Sequence, residues 1–77
     1  MNETVIEIDM QNDYGVLFRI FGTFLRKKLF VTKILMKQKK EGNIYNLKLS
    51  FTADMNNRES IVRLLKKIIG IDKITIK

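Results

Sequence analysis

The sequence predicts an α+β sandwich in which two helices cover one face of a four-stranded antiparallel sheet. Three observations lead there. Residues 4–10, 30–39, 44–52 and 71–77 alternate apolar and polar side chains, the period of strands. Residues 16–28 and the stretch after Asn57 repeat apolar positions every three or four residues, the period of helices. The resulting order, β-α-β-β-α-β, has a natural solution in the ferredoxin-like sandwich.

Each element can be justified in turn. In the first strand Ile6, Ile8 and Met10 share one face, and Val5, Glu7 and Asp9 the other. The turn Gln11-Asn12-Asp13-Tyr14-Gly15 leads into a helix over Val16 to Lys28. There Val16, Leu17, Ile20, Phe21, Phe24 and Leu25 form one broad apolar stripe. Arg26, Lys27 and Lys28 place positive charge in the last turn, where the helix dipole favours it. Gly22, mid-helix, costs about 1 kcal/mol against alanine, which a close helix–sheet or helix–helix contact would explain. In the second strand Phe30, Thr32, Ile34 and Met36 share one face, and Val31, Lys33, Leu35 and Lys37 the other. A turn at Lys40-Glu41-Gly42-Asn43 makes a hairpin with the third strand, whose Tyr45, Leu47, Leu49 and Phe51 point one way.

Asn56 and Glu59 fit a capping box at the start of the second helix. Its core positions are Ile61, Leu64, Leu65 and Ile68, with Val62 and Ile69 on the flank. Gly70 falls where a C′ residue would end that helix. The last strand turns Ile74 and Ile76 inward and Lys73 and Thr75 outward. The second strand lies at a sheet edge. Its Leu29, Phe30, Val31, Ile34 and Leu35 make it a liability unless another chain pairs with it.

The 77 residues amount to a single domain, 1–77, and a core this small gains most from oligomerisation. The chain has no cysteine and no histidine, which removes thiolate metal sites, disulfides and the usual general base. Ser50 and Ser60 therefore lack a base, and no catalytic residue and no metal site is expected. Glu7 and Asp9 lie two apart on one strand face, where Lys33, Lys48 and Lys73 can neutralise them across strands. The net charge of +7 attracts anions, nucleic acid or an acidic partner surface. Nucleic-acid binding is not expected, however, because the strands offer no aromatic platform on the open face. Tyr45 and Phe51 fall in phase with Leu47 and Leu49 instead. The N-terminus has neither a basic stretch nor a long apolar run, so no signal peptide and no membrane span are expected, and the cytoplasm is the default compartment.

The turn between the first strand and the first helix is the candidate binding site. The first N–H groups of a helix lack intrahelical partners, Gly15 permits close approach, and Asn12 offers an acceptor and donors. A carboxylate or another small polar group would suit them. The competing reading makes Asn12 or Asp13 a helix cap and Gly15 a turn residue.

The stretch Asn12-Asp13-Tyr14-Gly15-Val16-Leu17-Phe18-Arg19-Ile20, followed by Gly22-Thr23-Phe24, resembles the first loop and helix of ACT domains. It is most similar to that of the small regulatory subunit of acetolactate (acetohydroxyacid) synthase. The layout from Glu59 to Ile76 resembles the family as well. The resemblance implies a homodimer through the second strand and the first helix, with amino-acid effectors bound at the interface. Asn12 and Gly15 carry over from the family's loop, where Asp13 and Val16 flank them. Phe30 and Val31 stand at the start of the second strand, which in the family supplies further contacts from the neighbouring subunit. The family tends to have Gly-Tyr-Asn-Ile there; this chain has Lys28-Leu29-Phe30-Val31, so Phe30 replaces the effector-binding Asn. The resemblance further implies a non-catalytic, single-domain subunit that activates a large catalytic subunit and binds valine, leucine or isoleucine weakly or not at all. Thiamine diphosphate would belong to that partner, and no cofactor is expected in this chain. The alternatives are a stand-alone ACT-type amino-acid sensor and a basic RNA-binding module.

Overall fold

The computed structural model describes residues 2–39 and 42–77. Lys40 and Glu41 of the expected hairpin turn lie outside the described residues. The elements are β1 (Asn2–Gln11), α1 (Tyr14–Arg26), β2 (Val31–Gln38), β3 (Ile44–Ala53), α2 (Met55–Leu65) and β4 (Ile71–Ile76). The sheet order is β2-β3-β1-β4, with every neighbouring pair antiparallel. This is the expected ferredoxin-like sandwich.

The central pair β1–β3 runs in unbroken register from Asn2↔Ala53 to Gln11↔Ile44. It aligns Thr4, Ile6, Ile8 and Met10 with Phe51, Leu49, Leu47 and Tyr45, so the apolar sets of both strands face the helices together. Ile6, Ile8, Leu47, Leu49 and Phe51 are fully buried, as are Ile20 of α1 and Ile61 and Leu65 of α2. Phe24 seats α1 on β3 by meeting Phe51 edge to face, with ring centroids 5.0 Å apart.

The first helix begins two residues earlier than its apolar stripe suggests, because Asp13 caps it: the Asp13 side chain accepts from the Gly15 N–H. The helix also ends earlier, through a Schellman motif. Leu29 N–H donates to Phe24 O at 2.9 Å and Lys28 N–H to Leu25 O at 3.0 Å. Leu29 and Phe24 are both buried, which closes the motif with its usual apolar contact. Lys28 occupies the left-handed position at φ +57°, where glycine is the common choice.

Not all of the expected α1 stripe is core. Val16, Ile20 and Phe24 are buried, but Leu25 is 73% exposed. The apolar arc from Val16 round to Leu25 spans roughly 180° of the helix, more than one packing surface needs. Leu17, Phe21 and Leu25, four apart, mark its outer flank. Gly22 is not held by a close contact either, since nothing lies within 4 Å of where its Cβ would stand.

The second strand corrects the expected phase. A register shift lies between Val31 and Lys33. It places Val31 opposite Phe51, on the helix side of the sheet, while Phe30 is 79% exposed. Beyond the shift Ile34 and Met36 return to the helix side opposite Leu49 and Leu47. Both remain exposed, because the edge strand extends past the cover of the helices.

The second helix is capped by Asp54, whose side chain accepts from Asn57 N–H, rather than by Asn56. It stops at Leu65, so Gly70 is not its C′ residue. Gly70 instead sits in the turn before β4 at φ +105°. Of the expected flank, Val62 is half-buried and Ile69 fully exposed; in β4 Ile74 is half-buried, while Ile76, though inward in phase, is exposed. No helix among the described residues is long and apolar enough to cross a membrane.

Replacing Lys28 with Gly removes left-handed strain of about 1 kcal/mol. The variant's melting temperature is expected to rise by about 4–8 °C. A lower melting temperature in a thermal scan would contradict this account of the helix end.

Candidate functional site

The loop from Gln11 to Gly15 is fixed by backbone hydrogen bonds on every side. Gln11 N–H donates to Gly70 O at 2.9 Å, Asn12 N–H to Asn43 O at 2.7 Å, and Asp13 N–H to Gln11 O at 2.7 Å. A Cβ on Gly70 would stand 2.5 Å from Val16 Cγ2, so only glycine lets the turn before β4 close onto the start of α1. The sequence reading missed this role for Gly70. The signal that could have found it, a glycine just before a strand, also fits the end of a helix.

The donors expected to greet a ligand are already engaged. Gly15 N–H donates to Asp13 Oδ1 at 2.8 Å, and Val16 N–H to Asp13 O at 3.0 Å. Leu17 N–H also reaches Asp13 O, at 3.3 Å. The Asp13 carboxylate thus takes up the Gly15 N–H at the start of α1. A Cβ on Gly15 would come within 3.1 Å of that same oxygen. Asn12 is exposed beside it.

Phe30 and Val31 are not brought to this loop within one chain. Val31 pairs with Phe51, whereas Gln11 pairs with Ile44. The two halves therefore lie at opposite ends of β3, about 20 Å apart at the usual rise of a strand.

The open face of the sheet carries a second polar group. Asp9 accepts from Lys39 Nζ at 2.9 Å and from Asn46 Nδ2 at 2.8 Å. Glu7 pairs with Lys77 at 3.1 Å. Cross-strand neutralisation is as expected, but the direct partners are Lys39 and Lys77. Lys48 and Lys73 stand opposite Glu7 and Asp9 in register and act only through their charge, and Lys33 lies on the edge strand. The Asn46 and Lys39 hydrogen bonds hold the Asp9 carboxyl below its ordinary 3.8. The hydrogen bond from Lys77 does the same for Glu7. Among the described residues no three His, Cys, Asp or Glu side chains cluster as a metal site. Tyr45 and Phe51 pair with Met10 and Thr4 on the helix side, so neither offers a stacking surface on the open face.

The fold defines the class: the chain has the architecture of an ACT domain. An ACT domain from the GTP pyrophosphokinase of Chlorobium tepidum superimposes with a TM-score of 0.80 at 17% identity, covering 97% of this chain and 96% of that one. The particular likeness is to the acetolactate synthase small subunit of Thermotoga maritima, with a TM-score of 0.86 and 18% identity over 99% of this chain. This chain spans 47% of that subunit's length. The regulatory subunit of aspartate kinase from Thermus thermophilus is also similar, with a TM-score of 0.74 at 13% identity, over 99% of this chain and 50% of that one. No protein-family model matches the sequence, and no curated protein matches it.

A carboxyl whose pKa is lower in the folded than in the unfolded state stabilises the fold above its unfolded value. That contribution is lost as pH falls through the lowered value. The fold should therefore keep its full stability above about pH 4.5, the ordinary glutamate value, and lose it in more acidic solution. Asp9→Asn should flatten this loss in melting curves recorded from neutral to strongly acidic pH. An unchanged acid profile would mean that Asp9 is not the group responsible.

Proposed function

We propose that this chain is a non-catalytic regulatory subunit of an acetolactate synthase, acting in branched-chain amino-acid biosynthesis in the cytoplasm. It would activate the large catalytic subunit and confer little amino-acid feedback. The observation that carries the reading is the fold-wide likeness to the Thermotoga maritima small subunit, combined with Asn12 in the loop after β1 and Gly15 in the first turn of α1. A second reading is an ACT-type amino-acid sensor, which the shared fold of the Chlorobium ACT domain also fits.

The assembly is a homodimer through β2 and α1. Its support is uncovered apolar side chains on both elements: Leu25 on the outer flank of α1, and Ile34 and Met36 on the helix side of the edge strand. Burying such a surface offsets the small core. Antiparallel pairing of two β2 strands would also carry the partner copy's strand start to the end of the sheet where the Asn12 loop lies. The two halves of the candidate site, Asn12, Asp13, Gly15 and Val16 with Phe30 and Val31, would meet only then.

Weak effector binding follows from two residues. Asp13 fills the carboxylate position, and Phe30 offers no hydrogen bond. A ligand must displace the first and forgo the second, each at about 1–3 kcal/mol.

Leu25→Glu is expected to halve the sedimenting mass while leaving far-ultraviolet dichroism unchanged, since Leu25 touches little within its own chain. A wild-type monomer at tens of micromolar would overturn the dimer. Added to an acetolactate synthase large subunit, the chain is expected to raise its turnover. Valine is expected to leave that turnover nearly unchanged and to bind no tighter than about 1 mM by calorimetry. A low-micromolar valine affinity would reject the weak-effector reading, and no effect on the synthase would favour the sensor reading.

A further inference from the structure

The flank of α1 that faces α2 is unlike the apolar flank assigned to the dimer. Arg19, Gly22 and Arg26 succeed one another along it and look across to Lys67 in the turn after α2. Between them runs a groove of about 590 Å³, edged by Phe18 and Ile69. These two are 69% and 86% exposed, so the groove has apolar lips that none of the described residues covers.

The charges in the groove have one sign. No carboxylate lines it, and the ion pairs of the described residues, Lys39–Asp9 and Lys77–Glu7, lie on the opposite face of the sheet. Arg26 is steadied along the helix by its 3.4 Å hydrogen bond to Thr23 Oγ1, which itself donates to Arg19 O at 2.7 Å. The groove floor has a notch at Gly22, where a Cβ would meet nothing within 4 Å. Glycine is a poor residue for a helix interior, and no contact inside this chain requires it there.

Lys27 and Lys28 belong to a different hollow beside the start of β2, and Lys73 to the open face of the sheet. Arg26, Lys27, Lys28 and Lys73 are therefore split over three places. The groove joins three cations, Arg19, Arg26 and Lys67, to an apolar notch.

We propose that this groove docks an acidic amphipathic segment of a partner protein. Its carboxylates would meet Arg19, Arg26 and Lys67, with bidentate geometry open to the two guanidinium groups. One apolar side chain between them would enter the notch at Gly22, against Phe18 and Ile69. Charge complementarity sets the orientation and speeds the encounter, while the apolar anchor supplies the residence time. Nucleic acid suits the groove less well. Its phosphates need an extended track of cations and its bases repeated stacking surfaces, whereas here a single aromatic and an isoleucine flank three charges. The inference goes beyond the synthase reading, because it names a surface and a partner chemistry that hold whichever protein is regulated.

The test is selection of short peptides from a displayed random library on the intact wild-type chain. The enriched peptides are expected to carry Asp or Glu on both sides of a Phe, Leu or Ile. Their binding should weaken about tenfold or more in the double variant Arg19→Glu, Arg26→Glu. Gly22→Leu should weaken binding as much by filling the notch, yet raise the melting temperature, because leucine is the better helix former. That pairing separates loss of the groove from loss of the fold. Enrichment of neutral or basic peptides, or binding indifferent to Gly22→Leu, would overturn the proposal. So would single-stranded RNA that binds the wild-type chain and is lost in the same variants. Activation of the synthase is measured separately, so either reading can fail without the other.

Discussion

The β1–β3 register is the constraint on which the rest of the structure depends. A strand's side chains alternate with a period of two, so a slip of one residue would turn Ile6, Ile8, Leu47 and Leu49 out to solvent. With that pair fixed, the helix side of the sheet is apolar and the open side is polar. The helices have one place to pack, and β2 and β4 have one free edge each. Asp9 also reaches Asn46 because the same register sets those residues opposite each other.

Both ends of this central ribbon are closed by residues distant in sequence. At one end Gly70 takes up Gln11 N–H and makes room for Val16, which sets where α1 begins. At the other end Ala53 still pairs with Asn2, leaving Asp54 alone between β3 and α2. The candidate loop is therefore tied by hydrogen bonds to the turns before β3 and β4. Asp13, in capping α1, engages the Gly15 N–H with its own carboxylate.

Much of this was legible in the sequence. The alternation of β1 and β3 and the helical spacing of Val16, Ile20 and Phe24 encode the fold directly, since period and burial are the same information. The loop was legible as a place but not in its state of occupation. Asn12 and Asp13 are both competent caps, and only geometry shows which carboxylate or amide reaches Gly15. The bulge at Thr32 was invisible because the pattern Phe30, Thr32, Ile34 continues unbroken on paper, while the backbone inserts a step that turns Phe30 outward. Asn56 drew the capping box because Glu59 follows it at the right spacing. The strand ran on to Ala53 and left that role to Asp54. Leu25 looked like core because a helix that packs on two surfaces and a helix that packs on one both show apolar residues at the same spacing.

The place of β1 between β3 and β4 has a consequence for how the chain acquires its fold. Within this domain β1 is held on both sides by strands that follow it in sequence: residues 44–53 along its whole length, and 71–76 along half of it. Few of the sheet's pairings are local, apart from the β2–β3 hairpin, so closing them costs chain entropy before it gives contacts, and folding is slow for a domain of this size. During translation Ile6 and Ile8 wait with an open edge until β4 is made. The interval before β4 docks is when the nascent chain is most exposed to pairing with a foreign strand.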